Sequence, residues 1–164
     1  MAKLQRVLLF AALAAVAWFG GRAVVRALAS DETRIGWLLQ GEAASFNGAA
    51  MLSVLGSFAP DYRETTVGID RQALRAALLW AFQNRRDRAT GRFLYRVELP
   101  AEELQVTVDG DRARAAFALR LFEGLDAAAV LRWELAVEAE LERGQDGWRV
   151  ARSRHETVTG ERPR

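Results

Sequence analysis

From Arg92 onward apolar residues recur at every second position, a pattern that only extended chain with one covered face produces. Phe93, Tyr95, Val97 and Leu99 share one side of the first such segment. After Pro100 the apolar set moves to Leu104, Val106 and Val108, so odd becomes even and a bend belongs at Pro100. Asp109-Gly110 is the dipeptide of a two-residue hairpin turn. Beyond it Ala113, Ala115, Phe117, Leu119 and Leu121 point one way, as do Leu131, Trp133, Leu135, Val137, Ala139 and Leu141 after a loop around Gly124-Leu125-Asp126. A turn over Gly144–Gly147 leads into a last strand from Trp148 to Val158.

The alternate positions, mostly charged, fix the pairing. Setting Arg120 opposite Glu134 also sets Arg114 opposite Glu140 and Arg112 opposite Glu142. In the last hairpin, Leu141 opposite Trp148 brings Arg149 to Glu140 and His155 to Glu134. His155, the sole histidine, is therefore expected on the solvent face as an ion-pair partner.

Ahead of the sheet the period is helical. Ser30 is placed to cap a helix in which Ile35, Leu38, Leu39, Ala43 and Phe46 share a face, and Asn47-Gly48 ends it. A shorter helix buries Leu52, Leu55 and Phe58 and stops at Pro60-Asp61, with Tyr62 to Val67 briefly extended. Asp70 caps a third helix with Leu74, Leu78, Ala81 and Phe82 on its covered side. Arg85, Arg86 and Arg88 near its end suit the helix dipole. The expected class is α+β, with three helices packed on a strongly bent antiparallel sheet.

The first residues obey a different rule. Lys3 and Arg6 precede an apolar run from Val7 to Gly21, and Arg22 and Arg26 follow it. A positive start and a short apolar core make an export signal. Two outcomes fit: cleavage near Ala29, after the small-x-small Ala27-Leu28-Ala29, or retention as a signal-anchor. The arginines between the apolar core and that site favour retention. Residues 1–29 are thus read as a signal-anchor or signal peptide, 30–158 as the domain and 159–164 as a polar tail. The expected location is the inner membrane, single-pass, with the domain outside the cytoplasm, or the periplasm if the segment is cut. Of 23 basic and 21 acidic residues, four basic ones lie in this segment, leaving 19 against 21. A near-neutral domain with interleaved charges is not a nucleic-acid binder. No cysteine is present, which excludes disulfides and thiolate metal sites.

The local pieces Phe58-Ala59-Pro60-Asp61-Tyr62-Arg63, the Asp109-Gly110 turn and Asp146-Gly147-Trp148-Arg149-Val150 follow one another in this helical-then-stranded order. Together, over about residues 31 to 158, the chain resembles the nuclear transport factor 2-like (SnoaL or ketosteroid-isomerase-like) superfamily. The resemblance implies a cone-shaped α+β barrel with helices in the concave side of the sheet, a pocket between them, and often dimers through the sheet. Its enzymes use a tyrosine with carboxylic acids, or a histidine with an aspartate, inside the cone. Other members bind proteins or ligands, and several membrane-anchored ones build bacterial envelope assemblies.

No catalytic set transfers residue by residue, because the inward strand positions are nearly all apolar. Phosphate loops, nucleophile motifs and metal-ligand spacings are absent, so no cofactor or metal is expected. Strict alternation in the last strand puts Arg152, Arg154 and Glu156 on the same side as Trp148 and Val150. Two readings fit: the strand has left the helical cover there, or the guanidinium groups line an anion-accepting pocket with Tyr95 and Trp133. The candidate ligand residues are therefore Tyr95, Trp133, Arg152, Arg154 and Glu156. Small outward residues Ala116, Ala118, Ala136, Ala151 and Ser153 leave room for a second copy or an envelope protein. The expected function is a non-catalytic module binding a protein or a small anionic or apolar ligand, with a cone enzyme of isomerase, dehydratase or cyclase type as the alternative.

Overall fold

The computed structural model describes residues 28–162. The N-terminal apolar run and its cleavage site up to Ala27 lie outside the described residues, and among those described no helix is long and apolar enough to cross a membrane. Helix α1 (Asp31–Asn47) is capped by Ser30, whose hydroxyl accepts from the Thr33 N–H. It buries Ile35, Leu39 and Ala43. Helix α2 (Met51–Gly56) follows and buries Val54 and Leu55. Leu52, expected inward, is 83% exposed, because a helix this short presents only one turn to its neighbours.

The chain then turns directly into β1 (Phe58–Glu64), so Pro60-Asp61 lies within a strand and does not end the helix. Strand β2 (Ile69–Asp70) is a two-residue hairpin partner, and Asp70 caps α3 (Arg71–Asn84) by accepting from the Ala73 N–H at 2.8 Å. Strands β3 (Tyr95–Glu98) and β4 (Gln105–Asp109) are separated at Pro100 by one turn of 3-10 helix. Both lie against β5 (Arg112–Glu123), β4 beside its first half and β3 beside its second. The bend at Pro100 is thus where one edge changes partner residues. Strand β6 (Val130–Gly144) and β7 (Gly147–Gly160) complete the sheet.

The order is β2-β1-β7-β6-β5-β3, with β4 also on β5. Every neighbour is antiparallel except β1 and β7, which run parallel, so the sheet is mixed where a purely antiparallel one was expected. The two-residue hairpin loop is Gly110-Asp111, one position later than the Asp-Gly dipeptide suggests, since Asp109 pairs with Arg112. Gly110 takes φ +59° there, a conformation that suits glycine. Strand β7 runs to Gly160, past the Val158 end expected for the domain. A Cβ at Gly160 would lie 2.1 Å from the Arg132 carbonyl, so only glycine lets the last pair close.

The core gathers Ile35, Leu39, Val97, Leu99, Leu141, Trp148 and Val150 between α1 and one face of the sheet. A second cluster of Val54, Leu55, Leu78 and Phe82 joins α2 to α3. Asn47 bonds both the N–H and the carbonyl of Val97, and Gln40 donates to the Leu99 carbonyl, so α1 covers the polar edge of β3.

Candidate functional site

Strand β7 decides where the polar groups go. Val150 pairs with Leu141, but Arg152 pairs with Glu140, so Ala151 is an extra residue with no opposite number. From Arg152 to Thr157, where a second extra residue at Val158 restores the parity, each side chain changes face relative to strict alternation. Ser153, His155 and Thr157 stand opposite Ala139, Val137 and Leu135, on the helix-covered side. Arg152, Arg154 and Glu156 go to the open side, which corrects the expectation of a guanidinium pair within. Three ionised groups on an apolar face would cost several kcal/mol, and one bulged alanine removes that cost.

On the open side Arg154 holds Glu138 at 2.6 Å, with both side chains more than half exposed. Arg152 lines a broad polar groove of about 970 Å³ with Arg63, Arg112, Arg114, Glu140 and Glu142. Arg120–Glu134 closes at 2.7 Å, as the register requires. Ser153 leaves the small-residue patch, since its hydroxyl meets the Tyr62 hydroxyl at 2.7 Å, and Ala151 is taken up in the bulge. The patch shrinks to Ala116, Ala118 and Ala136.

On the covered side the same flip makes His155 an inner residue, not a partner of Glu134. Its Nδ1 lies 3.0 Å from Oε1 of Glu64, the two side chains being 16% and 10% exposed. The Trp133 ring stands edge-on to the imidazole, with centroids 5.5 Å apart. The Trp133 indole N–H donates to the Thr157 hydroxyl at 3.0 Å. Glu64 also accepts from the N–H groups of Thr66 at 3.0 Å and Val67 at 2.8 Å. Burial works to raise its pKa, but those N–H donors, the Thr66 hydroxyl and the charge of His155 outweigh it and hold the carboxyl below its ordinary value. An ionised Glu64 favours the tautomer with hydrogen on Nδ1 of His155. Nε2 makes no hydrogen bond among the described residues.

Tyr95 and Trp133 share the covered side but do not meet. Tyr95, on β3, pairs with Glu123 of β5 and contacts Phe93 edge-on, with centroids 5.9 Å apart. The cation over its ring is Arg85, at 5.9 Å from the centroid and 4.8 Å from that of Trp80. Thus the five expected ligand residues fall into three separate places. Between Tyr95 and Trp133 runs an apolar strip of Phe117, Leu119, Leu121 and Val137, all only partly buried although they face the helices.

Glu64 is a site residue that the alternation pattern does not single out. The signal was there in Tyr62-Arg63-Glu64, where a tyrosine and a glutamate fall on one face of a short strand. The second signal was the implausible row of charges at 152, 154 and 156, which calls for a change of parity. No metal-binding cluster of histidine and carboxylates forms among the described residues.

No protein-family model matches the chain, and no curated protein matches its sequence. Solved structures do match. A nuclear transport factor 2-like protein with a cystatin-like fold from Novosphingobium aromaticivorans aligns with a TM-score of 0.63 at 19% identity, over 85% of this chain and 89% of that one. A nuclear transport factor 2-like protein of unknown function from Pseudomonas putida aligns at 0.61 with 16% identity, over 80% and 96%. A proposed dehydratase of that family from Streptomyces avermitilis aligns at 0.62 with 12% identity, over 79% and 97%. At these identities the likeness is one of fold: an α+β, cystatin-like arrangement of a seven-stranded sheet and few helices.

Proposed function

We propose that this chain is a non-catalytic binding domain with the cone geometry of the nuclear transport factor 2-like fold, taking an apolar ligand or partner segment against the covered side of its sheet. The observation that carries this reading is the strip of Phe117, Leu119, Leu121 and Val137, which faces the helices and is still only partly buried. Apolar surface left open on the inner side of a fold gains about 25 cal/mol per Å² when a ligand covers it. The Glu64–His155 pair supports the non-catalytic half of the reading. Glu64 is saturated by Thr66, Val67 and His155, and the Thr66 hydroxyl bonds the His155 backbone in turn. Such a pair locks the β1–β2 turn onto β7. The N-terminal segment would tether the domain to the inner membrane from outside the cytoplasm. The open face around Ala116, Ala118 and Ala136 would meet a second copy or an envelope protein.

Titration of the full chain with decanol, followed by tryptophan fluorescence through Trp133, tests this. Saturable binding that Leu121→Glu abolishes is expected; no binding, or binding indifferent to Leu121→Glu, refutes it.

A second reading rests on the 3.0 Å contact itself. A carboxylate orienting a histidine is general-base geometry, and dehydration or isomerisation of an apolar substrate would use Nε2 as the proton acceptor. His155→Asn separates the two. A base predicts loss of turnover with ligand binding kept, and a lock predicts a lower melting temperature with no turnover to lose.

A further inference from the structure

Three strands away from His155, a hollow of about 470 Å³ opens between the end of α1 at Asn47–Ala49 and the loop Gly124–Asp126. Phe93 and Tyr95 are among its lining residues, as are Arg86, Arg92 and Arg96, the last with its guanidinium over the Phe122 ring. Two of these charges are answered. Arg92 holds Asp126 through both terminal nitrogens, at 2.8 and 2.9 Å, and Arg96 pairs with Glu98. The neighbouring Asp87 turns away to bind the N–H and hydroxyl of Thr90.

Arg86 is different. Its Nε donates to the Phe82 carbonyl at 2.6 Å and its Nη1 to the Gly91 carbonyl at 2.9 Å. These bonds terminate α3 and hold the guanidinium in place, yet no carboxylate pairs with it among the described residues. Its Nη2 donors are unspent there. A cation fixed in advance loses little side-chain entropy on binding, and a planar fork beside aromatic rings suits a planar anion.

We propose that this hollow is a binding site for a small planar carboxylate, seated on Phe93 and Tyr95 and held by Arg86. The site is independent of the apolar strip and of the Glu64–His155 pair, so either can exist without the other. Charge-assisted bonds to Arg86 give the affinity, which falls with added salt, and the ring floor selects flat ligands over branched ones.

The test titrates the full chain with benzoate and, separately, with its neutral counterpart benzamide, following backbone amide shifts. Expected are saturable shifts at Phe93, Tyr95 and Gly124 with benzoate alone. Arg86→Gln should weaken benzoate at least about tenfold, as loss of one charge-assisted contact implies. Because Arg86 also holds the 87–91 loop, Arg86→Lys serves as a second variant: it keeps the charge without the planar fork and should weaken benzoate by a smaller factor. Arg154→Gln, on the other side of the sheet, should leave it unchanged. No saturable benzoate binding, equal binding of benzamide, or an Arg86→Gln affinity equal to that of the parent would overturn the proposal.

Discussion

Two carboxyls, Glu42 half-buried and Glu64 buried, give the molecule opposite responses to pH. Glu42 on α1 is desolvated, and only the Ser57 hydroxyl answers it, so its pKa is pushed up to about 7. The folded state then keeps a proton that the unfolded chain releases near the ordinary 4.5, and stability falls as pH rises between these values. Allowing for partial exposure, the loss is about 1–2 kcal/mol. Glu42→Gln should therefore raise the melting temperature at pH 8 and flatten the slope between pH 5 and 7, by calorimetry, by roughly that free energy. Glu64 works the other way. Its folded pKa is lowered, so its contribution is present above the ordinary carboxylate value and lost as pH falls through the folded one. Glu64→Ala should strand the Thr66 and Val67 N–H groups and the His155 ring, at a cost of about 2–3 kcal/mol in chemical denaturation. A cost near zero would mean that the β1–β2 turn does not depend on this lock.

At the scale of elements, one alanine in β7 decides which residues the interior holds. The β5–β6 register was legible because charges repeat along both strands, and the pairs Arg112–Glu142, Arg114–Glu140 and Arg120–Glu134 all face each other as read. In the β6–β7 hairpin the same logic failed: Leu141 meets Val150 in place of Trp148, Arg149 meets Glu142 in place of Glu140, and beyond Val150 the faces change as well. Ala151 fits either face, so nothing local announces a bulge there, and the parity of Arg152 to Glu156 was read inverted. The partner that fixes His155 is also remote, since Glu64 lies 91 residues earlier on a strand whose parallel pairing with β7 no local pattern shows. Helix caps at Ser30 and Asp70 were legible because a cap is a local arrangement. Two substitutions read the register directly. His155→Asp places a second carboxylate beside Glu64 on the covered face and should cost about 2–3 kcal/mol. Arg154→Asp sits on the open face and should shift the melting temperature only slightly. The reverse order would restore strict alternation and remove the bulge.

For the whole molecule, the α+β, cystatin-like fold positions an inner apolar strip, a locked imidazole–carboxylate pair at one side of it, and a charged outer sheet. The location assigned to the domain is separately testable. Alkaline phosphatase fused after Arg164 should be active in a bacterial host, since Lys3 and Arg6 would be kept inside, and an inactive fusion would place the domain in the cytoplasm. Binding on the strip is read most directly by an amide and methyl shift map of the full chain with decanol. Saturable shifts confined to Phe117, Leu119, Leu121, Trp133 and Val137 are expected, with the ligand unaltered after prolonged incubation. Shifts confined to the open face around Ala116 and Ala136, or conversion of the ligand to a new species, would contradict this reading.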